Sequence, residues 1–280
     1  MVAQGYFVFQ LTQSPFLVGL VAAIGQLPAT AFSLVAGTII DRFPKKNILQ
    51  ITNFLSFLLA SSLGILIISG NINIVSLTIF AFFMGLVNSL SQPARIAVVP
   101  ELVDKQHIRP ATAMNMAMFN SARIIGPAIA GWLILAFGVG WAYFLNGLSF
   151  LAPFIAFNFI VFHPHIKRPH PGTLKAIKQG VSYASNHPLI KYLLLYLGVI
   201  SIFGWSYTTI MPVIAERVFN QGPAGLGLLF SAAGAGSVTG AIFVSALSHK
   251  INSKNLIFIG GLIFGANLLL FALTNNFYLA

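Results

Sequence analysis

Asn120 and Arg123 stand three residues apart in a stretch otherwise empty of charge: no Lys, Arg, Asp or Glu lies between Arg109 and Arg123, or between Arg123 and Lys167. On a helix that spacing puts the amide and the guanidinium on one face. Such a pair can bind an anionic substrate group or a proton-trading carboxylate, and it can equally be a structural arginine bonding the carbonyls of neighbouring helices. The spacing is compatible with both. The chain has four acids, Asp41, Glu101, Asp104 and Glu216, so any carboxylate that carries protons must be one of these. Glu216 is the coupling candidate, against the plainer reading of a surface ion pair with its neighbour Arg217. His163, His165 and His170 are separated by Pro without helical spacing, and no metal site is expected there. With no Cys, there are no disulfides or thiolate metal sites. No phosphate-binding loop, H-E-x-x-H or nucleophile motif is present, so neither an enzyme nor a cofactor is expected.

The elements that must position these residues are set by composition. Charged residues are 7% of the chain and apolar residues 57%, against roughly 25% charged in soluble domains. A hydrocarbon core about 30 Å thick needs about 20 apolar residues per helical crossing. Eight runs qualify: 17–40, 48–69, 72–94, 108–137, 141–162, 189–215, 226–247 and 256–273. Each is too long for a barrel strand, and a backbone in lipid must bond within its own segment, so an all-α integral membrane protein follows. The residues before Leu11 read as the outer end of a further helix. Within this frame Arg123 lies about 21 Å beyond Arg109 along an ideal helix, deep in a span. Facing lipid there would cost at least about 3 kcal/mol, so Arg123 faces protein or water. Asn115 and Gln26 join Asn120 and Arg123 as candidates to line a cavity.

Charge gives the topology. All Lys and Arg except Arg123 and Arg217 fall in alternate loops, which the positive-inside rule places in the cytoplasm of a plasma (inner) membrane. The net charge of +11 is therefore a topology signal, with the lipid bilayer and not nucleic acid as partner. The polar stretch from His163 divides the chain into an N-terminal bundle (1–162), a cytoplasmic linker with an amphipathic surface helix around Leu174, Ile177 and Val181 (163–188), and a partial second bundle (189–280). Shifting the second part by 208 positions lays Lys254-Asn255 on Lys46-Asn47 and Lys250 on Arg42, a weak repeat in the matching topological place.

The loop Gly37-Thr-Ile-Ile-Asp41-Arg42-Phe-Pro-Lys45-Lys46 follows the pattern G-x-x-x-D-R-x-x-[KR]-[KR], and with it the chain resembles the major facilitator superfamily over essentially all 280 residues. Pro93 to Leu102, Phe119 to Gly131 and Gly222 to Gly227 are similar to the branch that includes enterobactin exporters and macrolide efflux proteins. The resemblance implies a two-bundle fold of twelve helices, of which this chain would carry the end of helix 1 through helix 9, truncated at both ends. It implies a secondary active transporter, a proton-coupled exporter of amphipathic drug, macrolide or siderophore-like molecules working by alternating access. Its partners would be a small-molecule substrate and a proton or other ion, and the protein is expected to be monomeric. Alternatives are a lysophospholipid transporter of the same fold, or a fragment that no longer transports.

The resemblance makes the Gly37 to Lys46 loop a cytoplasmic gate, in which Gly37 lets two helices approach, Asp41 contacts the opposite bundle and Arg42 pairs within its own. Asp41→Asn is expected to weaken transport without preventing insertion. Gly126, Pro127 and Gly131 resemble an antiporter motif on helix 5, with Ala130 in place of one glycine. The small face Ala122, Gly126 and Ala130, with Pro127 and Gly131 one residue on at the same spacing, is expected to meet Ala232, Gly236 and Gly240 of helix 8.

Overall fold

The computed structural model describes residues 2–160, 180, 182–247 and 251–279, and all regular structure among them is helical. The order is α1 (Val2–Thr12), α2 (Pro15–Arg42), α3 (Lys45–Ile68), α4 (Ile74–Leu102), a 3-10 turn at Lys105–His107, α5 (Ile108–Ser149) and α6 (Leu151–Phe159). After the linker come α7 (Pro188–Val199), a π turn at Ile200–Gly204, α8 (Tyr207–Arg217), α9 (Gly222–Leu247) and α10 (Ser253–Leu273). The expected surface helix after His163 lies mostly outside the described residues, as do the three linker histidines.

Among the described residues, seven segments are long and apolar enough to cross a membrane. One of them, Lys105–Phe159, has 55 residues, or about 80 Å of continuous helix against a hydrocarbon core of about 30 Å. It must fold back. Gly138, at φ 84, turns the chain in a left-handed conformation that favours glycine and divides α5 into an outgoing and a returning arm. The two expected spans, 108–137 and 141–162, are these two arms, the second continued by α6. The break before α6 has a cause in Pro153, which has no N–H for the Ser149 carbonyl.

The run 189–215 was expected as one uninterrupted helix, and here the structure differs. Trp205 N–H donates to the Ile200 carbonyl, five residues back, at 2.9 Å, so α7 and α8 are joined through a π turn at mid-span. Periodicity alone does not report such an insertion, because the apolar run is unbroken.

Helix ends away from the basic loops are capped in ordinary ways. Gly70, at φ 72, ends α3 in a Schellman motif, with Gly70 N–H on the Ile67 carbonyl and Asn71 N–H on the Leu66 carbonyl, both at 3.1 Å. Asn73 and Ser76 then form a capping box at the start of α4.

Two apolar clusters fix the packing, and they lie at opposite ends. At the basic end, Ile40, Ile48, Leu49, Ala94 and Val98 join α2, α3 and α4, with Phe157 of α6 packed against them. At the other end, Phe7, Phe9, Val21, Leu63, Leu77, Ile134, Met211, Ala215 and Leu226 form one continuous cluster that ties α1 to α5 onto α8 and α9. The helices before and after the linker are thus joined at the end remote from the basic loops. Most remaining large apolar side chains are exposed, as lipid-facing residues must be.

Candidate functional site

Phe43 precedes Pro44 and is therefore held extended, at φ −108 and ψ 151, which stops α2. Lys45 opens α3 immediately afterwards and is buried. Its Nζ forms an ion pair with Glu101 in the last turn of α4. Lys45 stands at the positive N-terminal end of α3 and Glu101 at the negative C-terminal end of α4, each at the end of its own helix that disfavours its charge, and the pair offsets both. Two of the gate expectations need correction. The ion pair inside the N-terminal bundle is made by Lys45, whereas Arg42 is exposed at the end of α2. Gly37 faces open space, with nothing within 4 Å of the position its Cβ would take. The close approach on α2 comes at Gly25, whose carbonyl abuts Gly85 of α4. Asp41 and Lys46 are half-buried beside the pair.

Midway along the molecule α5 crosses α9. A Cβ at Gly131 would stand 2.6 Å from the Pro223 carbonyl oxygen, and one at Gly227 would stand 2.6 Å from the Pro127 carbonyl oxygen. One at Gly234 would stand 2.8 Å from the Arg123 carbonyl oxygen. Pro127 has no N–H to offer that Arg123 carbonyl, which is left free along the contact. The helices expected to meet do meet, and of the expected α5 face Pro127 and Gly131 carry the contact while Gly126 does not. Gly126, Gly236 and Gly240 have nothing within 4 Å, and the contact stripe runs through Arg123, Pro127 and Gly131 on α5 and through Gly227 and Gly234 on α9. Spacing by four marks several stripes on any Gly-rich helix, and only the partner selects one.

Arg123 therefore has its backbone in the crossing while its side chain is exposed, without a hydrogen bond or ion pair among the described residues. Asn120 is half-buried one turn before it and continues the contact stripe past the point where the helices part. Asn115 is also half-buried, and Gln26 is exposed on α2. The structure thus keeps Arg123 and Asn120 on one stretch of α5 and leaves Gln26 apart from them on α2.

At the far end, Glu216 and Arg217 do not form the surface pair that their adjacency suggested. Arg217 instead donates from Nη2 to the Gln13 carbonyl at 2.9 Å and lies over the Phe9 ring, 5.0 Å from its centroid. Glu216 is exposed, 3.9 Å from the Cβ position of Gly222, with Tyr6 of α1 within reach of its charge. No group of three or more His, Cys, Asp and Glu that could hold a metal occurs among the described residues.

A family model described as "transmembrane secretion effector" matches residues 1–280. The chain is 26% identical over 265 residues to the staphyloferrin A transporter of Staphylococcus aureus, covering 94% of this chain and 67% of that protein. It is 27% identical over 259 residues to the MFS-type transporter YfiS of Bacillus subtilis, covering 90% and 60%. It is 24% identical over 245 residues to the enterobactin exporter EntS of Shigella boydii, covering 86% and 57%. The chain thus spans about three fifths of the length of these relatives. Family match, helical membrane architecture and loop motif agree: the chain belongs to the transmembrane secretion effector family of the major facilitator superfamily.

Proposed function

We propose that this chain works in a secondary active exporter of siderophore-like small molecules that carry an anionic group, driven by protons and operating by alternating access. The observation that carries the reading is the place of Arg123. It lies deep in the first long arm of α5, its backbone meets α9 at Gly234, and its guanidinium is exposed. An exposed guanidinium at that depth is strongly disfavoured against lipid, so a water-filled cavity accounts for it. Relatives named for staphyloferrin A and enterobactin support a siderophore-like cargo.

With the basic loops in the cytoplasm, the bundles are joined on the outer side and the crossing opens toward the inside, an arrangement suited to loading substrate from the cytoplasm. Asp41, Arg42, Lys45 and Lys46 form the gate on that side, and Glu216 is the candidate for proton coupling. Membrane vesicles given a proton gradient and a radiolabelled anionic siderophore test this. Gradient-dependent movement that Arg123→Gln reduces supports the reading, and movement indifferent to both gradient and Arg123 removes it.

A further inference from the structure

We infer that Arg217 is the clasp that holds the two bundles shut at the end away from the basic loops, so that its release is a required step of opening there. The inference rests on the two-state transport reading above and adds a gating residue to it. Three contacts converge on this side chain. The first is the hydrogen bond to the Gln13 carbonyl, which joins the second bundle to the α1–α2 turn across 204 residues of sequence. Gln13 is held for that role: its φ is 52, in the left-handed region, and its N–H closes α1 on the Phe9 carbonyl at 2.8 Å. This turns its own carbonyl away from α1 and leaves it without a helical donor. The second contact is the Phe9 ring beneath the guanidinium. Phe9 is 1% exposed while Arg217 is itself exposed, so the guanidinium caps a buried ring from the solvent side.

The third is the backbone below. A Cβ on Gly5 of α1 would stand 2.8 Å from Pro212 Cγ of α8, so the helices that carry Phe9 and Arg217 are already in close contact one to two turns deeper. Ala215, also 1% exposed, lies in that interface. The bundles cannot separate here without breaking the charged hydrogen bond, lifting the guanidinium from Phe9 and exposing Ala215. Glu216, the adjacent acid, does not compete for the guanidinium, since the pair is not formed. The feature differs from the Lys45–Glu101 pair in a decisive way: that pair lies within one bundle, whereas this one crosses between two.

The chain has no cysteine, so single reporters can be introduced cleanly. Ala215→Cys reports the clasped end. Ala241→Cys reports the other end, since Ala241 extends the Gly227 and Gly234 stripe of α9 toward the basic loops and is exposed. Both are labelled in membranes with an impermeant maleimide, with and without Arg217→Gln. Loss of a charged hydrogen bond predicts labelling of Ala215→Cys about tenfold faster together with slower labelling of Ala241→Cys. Unchanged rates at both positions overturn the inference, and so does faster labelling at both, which is local unfolding and not gating. The labelling needs no substrate, so a clasp that responds while vesicles export nothing retains this inference and removes the transport reading.

Discussion

The Cα of Gly227 lies 3.1 Å from the point where a Cβ on Gly131 would stand, and in the reverse direction the distance is 3.2 Å. Two backbones from different bundles thus meet with no side chain between them. In lipid, where apolar burial alone gives helices little reason to associate, such close approach is a main source of attraction. The atoms in the way are backbone on both sides, so neither can turn aside. We predict that Gly131→Val and Gly227→Val each lower stability by about 1 to 3 kcal/mol. Gly126→Val and Gly236→Val, which face open space, should leave it nearly unchanged. Thermal unfolding of the purified variants in detergent separates the pairs, and equal effects at all four positions would refute the stripe described here.

The Lys45–Glu101 pair makes a second prediction. Lys45 is 8% exposed, and the Glu101 side chain 17%. Glu101→Gln leaves an ammonium desolvated without its counter-charge, at a cost of about 3 kcal/mol. The exchange Lys45→Glu with Glu101→Lys should recover most of this, because it restores an ion pair and places each charge at the favourable end of its own helix. A double-mutant cycle on unfolding midpoints measures the coupling, and strict additivity would show the pair to be inert.

How much of this was legible beforehand differs from feature to feature. The spans, their number and the pause near residue 138 follow from runs of apolar residues, because lipid imposes length and hydropathy directly on sequence. Arg123 could be found because a charge in a span is so costly that its mere presence is informative. Lys45–Glu101 and Arg217–Gln13 could not, since each joins residues far apart in the chain and depends on which helices become neighbours. Arg217 was even misdirected by its adjacent acid: successive helical residues point about 100° apart, so a sequence neighbour is rarely a spatial partner. The π turn was hidden for another reason, as it alters hydrogen bonding without altering hydropathy.

Gly138 is the hinge of the hairpin between the two arms of α5, with φ 84 and no atom within 4 Å of its missing Cβ. Space is therefore no obstacle to a side chain there, and the backbone is the only one. Gly138→Val should cost about 1 to 2 kcal/mol from left-handed strain, while Gly138→Asn should cost less, since Asn tolerates that region. Comparison of the two unfolding midpoints isolates the conformational effect, and equal midpoints would mean that the turn relaxes to another geometry.

Arg123 offers the sharpest functional test, because its two roles predict different kinetics. If the guanidinium binds an anionic group of the cargo, Arg123→Gln removes a charged hydrogen bond of about 1.5 to 3 kcal/mol and raises the substrate concentration for half-maximal efflux about ten- to a hundredfold. Arg123→Lys keeps the charge but not the planar fork, and should fall between. If the side chain only braces the crossing of α5 and α9, both variants should lower the unfolding midpoint and the amount of inserted protein while leaving KM unchanged. The backbone argues for the first outcome: it is the Arg123 carbonyl, not its side chain, that touches Gly234, and a glutamine at position 123 keeps that carbonyl in place. The contact with α9 should therefore survive the substitution, and what is lost should be lost from the cavity.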